Sequence, residues 1–206
     1  MARNQTSFFD TDREVIRLSD ADITLYRHYF DLSTSKKYFD CLKEELIWRE
    51  EEIILYGKAH ILPRLSAWYG DPEATYTYSG ISLSPNPWTT VLNELREIVD
   101  NISDFRFNSL LANLYRDQND SVSWHADDEP ELGENPTIAS ISFGETRKFN
   151  FKNKADPETK FSLELGTGDI LIMKGATQKN WLHQIPKSSK ILQPRVNLTF
   201  RRILTD

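Results

Sequence analysis

The second half of the chain alternates apolar and polar residues over short segments, which is the pattern of β-strands that bury one face. Turn residues separate seven of these segments. They are Phe107–Tyr115, Ile138–Phe143, Lys148–Lys152, Phe161–Leu165, Ile170–Met173, Trp181–Ile185 and Val196–Ile203. Short strands at this close spacing are typical of a β-sandwich or barrel.

The first half instead repeats apolar residues every three to four positions in two places, which predicts two amphipathic helices. The first helix follows Ser33 and Thr34, which can cap it, and continues through Tyr38, Phe39, Leu42, Leu46 and Ile47. The second helix follows Pro85-Asn86-Pro87 and buries Trp88, Val91, Leu92, Leu95, Ile98 and Val99. Between them, the β-prone run Ile53–Tyr56 stops at Gly57, which predicts the tip of a hairpin.

These elements predict a mainly β (α+β) protein with a jelly-roll core over residues 105–206. The predicted helices occupy residues 21–104 and brace that core. Residues 1–20 are polar and aperiodic, and we expect a loose leader there. At 206 residues the whole chain is expected to form one structural domain.

Composition excludes several classes of protein. Hydrophobic residues make up 39% and charged residues 27% of the chain, so it is not a disordered chain, a collagen-like fibre or a coiled coil. Its apolar runs are too short to span a bilayer, and its N-terminus lacks the apolar stretch of a secretory signal. The single cysteine, Cys41, cannot form an internal disulfide. We therefore expect an intracellular protein, cytoplasmic if bacterial and nuclear if eukaryotic.

Charge is distributed unevenly along the chain. The net charge is −6, yet residues 1–144 carry 13 Lys and Arg against 25 Asp and Glu, whereas residues 145–205 carry 12 against 5. This asymmetry is typical of a surface that faces a polyanion such as nucleic acid. The alternative is that the basic residues are close in sequence and scattered in space.

The last predicted strand has a polar face. Its polar positions are Arg195, Asn197, Thr199 and Arg201, and they alternate with Val196, Leu198 and Phe200. If helices cover the apolar face, the polar face lines an internal cavity. A buried guanidinium without an anion costs several kcal/mol, so two of them predict an anionic ligand, a metal-ligating carboxylate, or both. The alternative is a half-exposed strand with its polar face in solvent. On an earlier strand, Asn113 and Tyr115 also share one face.

Three residues form a candidate metal site. His125 and Asp127 are two residues apart, on the same side of an extended segment, and His183 follows after 55 intervening residues. Two histidines and one carboxylate on one face of an octahedron are the ligand set of non-haem Fe(II) oxygenases. His-x-Asp alone also fits a hydrogen-bonded surface pair.

Four longer motifs carry a resemblance to a known family. They are Asn113–Arg116, Trp124–Glu129, Ile138–Gly144 and Pro194–Arg201. With their order and spacing, the chain resembles the AlkB family of Fe(II)- and 2-oxoglutarate-dependent dioxygenases from roughly residue 63 to residue 203. It is most similar to the branch of eukaryotic AlkB homologues two and three, which repair alkylated nucleic acid.

The resemblance implies a double-stranded β-helix of the jelly-roll, cupin-like type, with a nucleotide-recognition lid within residues 21–104. It implies that His125, Asp127 and His183 hold Fe(II). It also implies that the distal carboxylate of 2-oxoglutarate meets Arg201, with Asn113 and Tyr115 as hydrogen-bonding partners. Arg195 would brace the ligating carboxylate and the cosubstrate, and Asn197 would line the same wall.

The implied activity is oxidative demethylation of 1-methyladenine and 3-methylcytosine in DNA, with RNA as a further candidate. This direct reversal converts 2-oxoglutarate and O₂ into succinate and CO₂ and releases formaldehyde. Two alternatives remain open from the sequence. One is a hydroxylase of the same fold that acts on protein or small molecules, and the other is a non-catalytic module that binds alkylated bases.

Substrate contacts are also implied by the resemblance. Tyr76 and Tyr78 lie in the segment that resembles the lid, and Trp68 in one that resembles a substrate loop, where a flipped base would be held against aromatic rings. Asp128 and Glu129 would place negative charge beside a cationic base. Tyr56 stands where the second homologue has an intercalating phenylalanine. The candidate phosphate contacts are Lys58, Arg64, Lys152, Lys154 and Arg202.

For each of these rings the alternative is core packing, and for each charge it is solvated surface. The expected partner is nucleic acid, with no membrane, and the protein is expected to be a monomer.

Overall fold

The computed structural model describes residues 12–55, 58–78 and 81–204, and at 54, 55, 58, 76–78 and 81–83 it describes the backbone. Strands β1 to β8 are Asp12–Ile16, Asp22–Arg27, Arg49–Leu55, Lys58–Gly70, Tyr76–Tyr78, Ile81–Leu83, Ser109–Tyr115 and Val122–His125. Strands β9 to β14 are Ile138–Gly144, Arg147–Asn153, Lys160–Leu165, Ile170–Lys174, Trp181–Ile185 and Arg195–Arg201. Helices α1, α2 and α3 are Leu32–Glu45, Thr90–Ser103 and Thr177–Asn180, and Pro130–Leu132 forms a 3₁₀ turn.

Two antiparallel sheets form the body of the protein. The large sheet has the strand order β1-β2-β12-β9-β14-β7-β4-β3, and the small sheet has the order β11-β10-β13-β8. Strands β5 and β6 pair separately. The predicted jelly-roll is confirmed, and each of the seven strands predicted after residue 105 has its counterpart. Among the described residues, no helix has both the length and the apolar character needed to cross a membrane.

Strand β14 lies inside the large sheet, between β7 and β9, and separates the core from a cavity. Its Val196, Leu198 and Phe200 are fully buried in a cluster that includes Leu42 of α1 and Leu95 of α2. The helices therefore cover the apolar face of β14, as the sequence predicted. Its polar residues occupy the opposite face, where they reach the space between the sheets.

Both predicted helices form, and their caps differ slightly from the expectation. Helix α1 begins after Asp31, whose carboxylate accepts a hydrogen bond from the Thr34 amide at 2.7 Å. The cap is thus two residues earlier than the predicted Ser33, because the Asp31 carboxylate reaches the first free amides of the helix. Helix α2 is capped by Thr89, two residues after Pro87.

The structure corrects two expectations about the layout. Strand β1 lies within the segment expected to be a loose leader, and residues 1–11 lie outside the described residues. Its side chains are mostly exposed, so no apolar alternation marks it, and pairing with β2 creates it. The boundary at residue 105 is also not a boundary of the sheet, because four of the eight strands of the large sheet precede it.

One strand of the small sheet was not predicted. Strand β8 has four residues and is half-buried, with two polar positions among them, so it carries little hydrophobic signal. It pairs with β13 through a bulge, and in that register His125 is opposite His183. A strand without a sequence signal thus presents the first histidine of the candidate metal site.

Candidate active site

A cavity of about 400 Å³ opens between the two sheets. The large sheet contributes Asn113 and Tyr115 from β7 and Asn197, Thr199 and Arg201 from β14. The small sheet contributes His125, Phe149 and His183, and the segment after β8 contributes Asp127. Polar residues from distant parts of the sequence therefore meet at one internal surface.

The three predicted metal ligands converge in this cavity. His125, Asp127 and His183 each offer one ligand atom, and these atoms all lie within 4.8 Å of one another. Nε2 of His183 is 3.8 Å from Oδ2 of Asp127, and the two imidazole centroids are 4.2 Å apart. Asp127 and His183 are buried, and His125 is half-buried at the rim. Two imidazoles and one carboxylate at this separation fit a divalent transition metal, and Fe(II) in particular.

Neighbouring residues fix the orientation of all three ligands. The Phe149 ring stacks on His183 at a centroid distance of 5.1 Å and an interplanar angle of 18°. Nδ1 of His125 lies 2.8 Å from the Ser123 carbonyl, and the Asp127 amide donates to Oε1 of Gln178 at 2.9 Å. Such contacts with the ligands tune metal affinity. Sequence reasoning missed Phe149 and Gln178, and only the alternation of β10 could have pointed to Phe149.

Electrostatics keep the ligand set in the protonation states that a metal needs. Burial, reinforced by the nearby His125, lowers the pKa of His183 to about 3, so the imidazole is neutral at neutral pH. Burial acts to raise the pKa of Asp127, but the Arg201 guanidinium, together with the adjacent imidazoles of His183 and His125, outweighs it, and the net shift is downward. A carboxylate and a neutral imidazole are both ready to donate electron pairs.

Arg201 braces the ligating carboxylate. Its Nη2 donates to Oδ1 of Asp127 at 2.5 Å, and both side chains are largely shielded from solvent. The resemblance implied this role for Arg195 and a contact with 2-oxoglutarate for Arg201. In the structure it is Arg201 that contacts Asp127, whereas Arg195 donates to Ser142. Position along β14 explains which arginine contacts Asp127, because Arg201 is opposite Ser109 and Arg195 is opposite Tyr115, at the two ends of the register between β14 and β7.

Arg195 is a buried cation with unused donors. It is 0% exposed, its Nη2 donates to Oγ of Ser142 at 2.9 Å, and its guanidinium lies 5.3 Å from the centre of the Tyr115 ring. Its Nε and Nη1 have no hydrogen-bond partner among the described residues. Burial lowers the pKa of Arg195 to about 10, so the group stays charged at neutral pH. A buried guanidinium in this state requires an anion.

The remaining predicted cosubstrate residues lie beside Arg195. Tyr115 is buried against it, and burial raises the pKa of the Tyr115 hydroxyl, which therefore stays protonated. Asn113 accepts a hydrogen bond from Nε of Arg64 at 2.8 Å. Asn197 donates to Oγ of Ser140 at 2.8 Å. Arg64 thus forms part of the cavity wall, although the sequence suggested a phosphate contact.

A second cavity of about 310 Å³ adjoins the first and shares Leu111, Glu129 and Arg201 with it. Trp68 lines this second cavity, and its indole N–H donates to Oγ of Ser109 at 2.9 Å. Two of the predicted substrate residues, Trp68 and Glu129, are therefore brought together within reach of the metal ligands.

The other predicted substrate residues lie elsewhere. Asp128 is 54% exposed and accepts from Nζ of Lys154 at 2.8 Å, so these two residues neutralise each other. Lys152 lies over the Trp124 ring at 4.5 Å, and Arg202 is exposed. Tyr56, and the side chains of Lys58, Tyr76 and Tyr78, lie outside the described residues.

Comparison with known proteins agrees with this site. A family model described as the 2OG-Fe(II) oxygenase superfamily matches residues 22–201. The chain therefore belongs to that superfamily, and within it to the AlkB family, where its relatives include homologues two and three. The predicted enzyme class, a dioxygenase that uses Fe(II), 2-oxoglutarate and O₂, is confirmed.

Two relatives illustrate the placement. The chain is 43% identical over 193 residues to "Alpha-ketoglutarate-dependent dioxygenase alkB homolog 3" of Mus musculus, covering 89% of this chain and 67% of that protein. It is 43% identical over 157 residues to "DNA oxidative demethylase ALKBH2" of Homo sapiens, covering 73% of this chain and 60% of that protein. The chain thus spans about two thirds of the length of these relatives.

A solved structure supports the fold. The structure of OsALKBH1 matches with a TM-score of 0.63 at 15% identity, covering 92% of this chain and 99% of that one. At this identity the match concerns architecture alone. The jelly-roll predicted from the strand pattern is the architecture the two chains share.

Proposed function

We propose that this protein is an oxidative demethylase of N-alkylated bases in DNA, with RNA as a further candidate. In the proposed reaction, a base N-methyl group, 2-oxoglutarate and O₂ give the free base, formaldehyde, succinate and CO₂. The observation that carries the proposal is the ligand set of His125, Asp127 and His183, together with the buried cation of Arg195, which packs on Tyr115 of the cavity wall and has two donors without a partner. The names of the relatives at 43% identity support the substrate class.

The residues of the cavity fit both the metal and the cosubstrate. His125, Asp127 and His183 would hold Fe(II), because their donor atoms are of the right chemical types and lie within 4.8 Å of one another. Arg195 would bind a carboxylate of 2-oxoglutarate through its unused Nε and Nη1, assisted by the Tyr115 hydroxyl. Arg201 remains on Asp127 and holds it in place.

When bound, Fe(II) and 2-oxoglutarate supply the oxidising power that hydroxylates a methyl group with O₂. The protein's own residues perform the other tasks. Phe149 and Ile185 line the cavity with apolar surface, which excludes water around the ligands. Gln178 and Arg201 hold Asp127 at its backbone and its side chain. The second cavity, with the Trp68 ring and the Glu129 carboxylate, offers a place for the base.

The proposed lesions are bases whose ring nitrogen is methylated and positively charged. 1-Methyladenine and 3-methylcytosine are such bases, and the Glu129 carboxylate, which lines both cavities, favours a cation there. Trp68 provides an indole surface at the same place, and a flipped base stacks well on such a ring.

The test compares formaldehyde release from a 3-methylcytosine oligonucleotide with release from a methylated peptide, each with Fe(II) and 2-oxoglutarate. We expect release from the oligonucleotide alone, and its loss in His183→Ala. Release from the peptide alone would overturn the assignment in favour of a protein hydroxylase. Tight binding of the oligonucleotide without release would identify a binding module. DNA and RNA versions of the same sequence decide between the two polymers.

We also propose that the protein acts as a monomer, since a single copy supplies all three metal ligands and the site needs no residue from a second copy. Light scattering during size-exclusion chromatography tests this proposal. A mass near 24.0 kDa supports it, and a dimer mass at assay concentration overturns it.

A further inference from the structure

The second cavity contains a carboxylate that the family motifs do not include. Besides Trp68 and Glu129, this cavity of about 310 Å³ is lined by Glu51 of β3. The only cation among its described lining residues is Arg201, which is already paired with Asp127. Two carboxylates therefore face a space that holds no further positive charge, and such a space favours a cationic occupant.

The backbone of the hairpin formed by β3 and β4 explains why Glu51 faces the cavity. The register pairs Glu50 with Leu65 but Glu52 with Ile61, so it shifts by two residues at Glu51. Pro63 lies in the stretch of β4 opposite Glu51. Because proline has no amide hydrogen, it cannot donate a hydrogen bond to the neighbouring strand. A bulge results, and bulges beside active sites re-aim individual side chains.

The two faces of β3 have different surroundings beyond the bulge. Glu51 lines the second cavity and Ile53, two residues further, lines the first, so both belong to the face toward the site. Glu50 belongs to the other face, where its carboxylate lies 3.6 Å from the Arg116 guanidinium. Glu50 is therefore a matched control: the same residue type, adjacent in sequence, exposed, and directed away from the site.

We propose that Glu51 is a specificity-determining residue that selects positively charged methylated bases over neutral ones. The inference rests on the proposed function, since it concerns the base that enters the second cavity. Glu51 and Glu129 together place two negative charges at this cavity, so a cationic base is stabilised there relative to a neutral base of the same shape. The negative charge of Glu51, and not its volume, carries the effect.

The experiment uses two lesions of nearly the same shape, 3-methylcytosine, which is protonated at neutral pH, and 3-methylthymine, which is neutral. Each is placed in the same oligonucleotide, and kcat/KM is measured for the full chain and for Glu51→Gln. We expect the preference for 3-methylcytosine to fall about two- to fivefold in Glu51→Gln, the size of one solvent-accessible charge pair. Glu50→Gln should leave the preference unchanged.

Equal losses on both lesions would overturn the inference, because they would assign Glu51 a structural role. An unchanged preference would overturn it as well. Equilibrium binding of both oligonucleotides, with Mn(II) and N-oxalylglycine in place of iron and cosubstrate, separates this inference from the proposed function. If the wild-type protein demethylates neither lesion, the proposed function fails. The charge preference in binding, and its loss in Glu51→Gln, still decide the role of Glu51.

Discussion

Nη2 of Arg201 lies 2.5 Å from Oδ1 of Asp127, while Oδ2 of the same carboxylate faces His183 at 3.8 Å. The two oxygens of Asp127 therefore have separate partners. One is fixed by the guanidinium, and the other faces the imidazole of His183 and is free of that ion pair. This arrangement makes Arg201 part of the support for the metal and leaves Arg195 for an anion.

Loss of Arg201 should weaken metal binding. In Arg201→Gln the buried Asp127 loses its charged partner, so its pKa rises and its orientation is no longer fixed. We expect the affinity for Mn(II), measured by electron paramagnetic resonance titration, to fall about 10- to 100-fold. Arg202→Gln, an exposed neighbour, serves as the control. Unchanged Mn(II) affinity in Arg201→Gln would refute the bracing role.

Loss of Arg195 should weaken the binding of the cosubstrate and leave the affinity for the metal unchanged. Arg195→Met removes the buried cation that has two unused donors, and we expect N-oxalylglycine affinity to fall at least about 30-fold, as for other truncated buried charge pairs. Arg195→Lys should recover part of the affinity, because it restores the charge without the planar fork. Calorimetric titration measures the affinity for Mn(II) first, and then the affinity of the Mn(II)-loaded protein for N-oxalylglycine. Equal loss of Mn(II) and N-oxalylglycine binding in Arg195→Met would contradict this division of roles.

Gln178 should stabilise the fold through the backbone of the metal ligand. It is fully buried, and its Oε1 accepts from the Asp127 amide. Gln178→Met keeps the volume and leaves that amide without an acceptor, so we expect a loss of about 1–3 kcal/mol in the free energy of unfolding. Urea denaturation of the metal-free protein measures the loss. Lys179→Met, at the exposed neighbouring position, should change the free energy little, and a similar loss there would argue against the proposed hydrogen bond.

Acid should destabilise the metal-free protein through His183. Its pKa is lowered to about 3 in the folded protein, below the ordinary value of 6.5, because burial disfavours the charged imidazole. The unfolded chain therefore binds the proton first, so stability is complete above pH 6.5 and declines as the pH falls toward 3. Between pH 6.5 and 4.5, we expect the free energy of unfolding to decline more steeply in wild type than in His183→Gln. Parallel profiles would show that His183 is not the source.

Much of the site could be predicted because it follows a simple period. Alternation along β14 placed Arg195, Asn197 and Arg201 on one face, and the spacing of His125, Asp127 and His183 fits one ligand set. Which of the two arginines contacts Asp127 could not be predicted, because it depends on which residue of β14 is opposite which residue of β7.

Other parts of the structure carry no periodic signal. Gln178 lies in a four-residue helix, and its contact with Asp127 joins positions 51 residues apart. Glu51 belongs to a run of three glutamates that resembles ordinary solvated surface, and only the bulge opposite Pro63 distinguishes it from its neighbours. Strand β1 forms through its antiparallel pairing with β2. In each case the deciding partner is distant in sequence, so local patterns could not reveal it.

Strand β14 pairs with β7 at all seven of its positions, and one face completes the hydrophobic core while the other presents Asn197, Thr199 and Arg201. When the chain refolds, burial of Val196, Leu198 and Phe200 therefore also places these polar groups in the interior. Enzymatic competence and tertiary structure should return together after denaturation, with no folded but unassembled precursor between them.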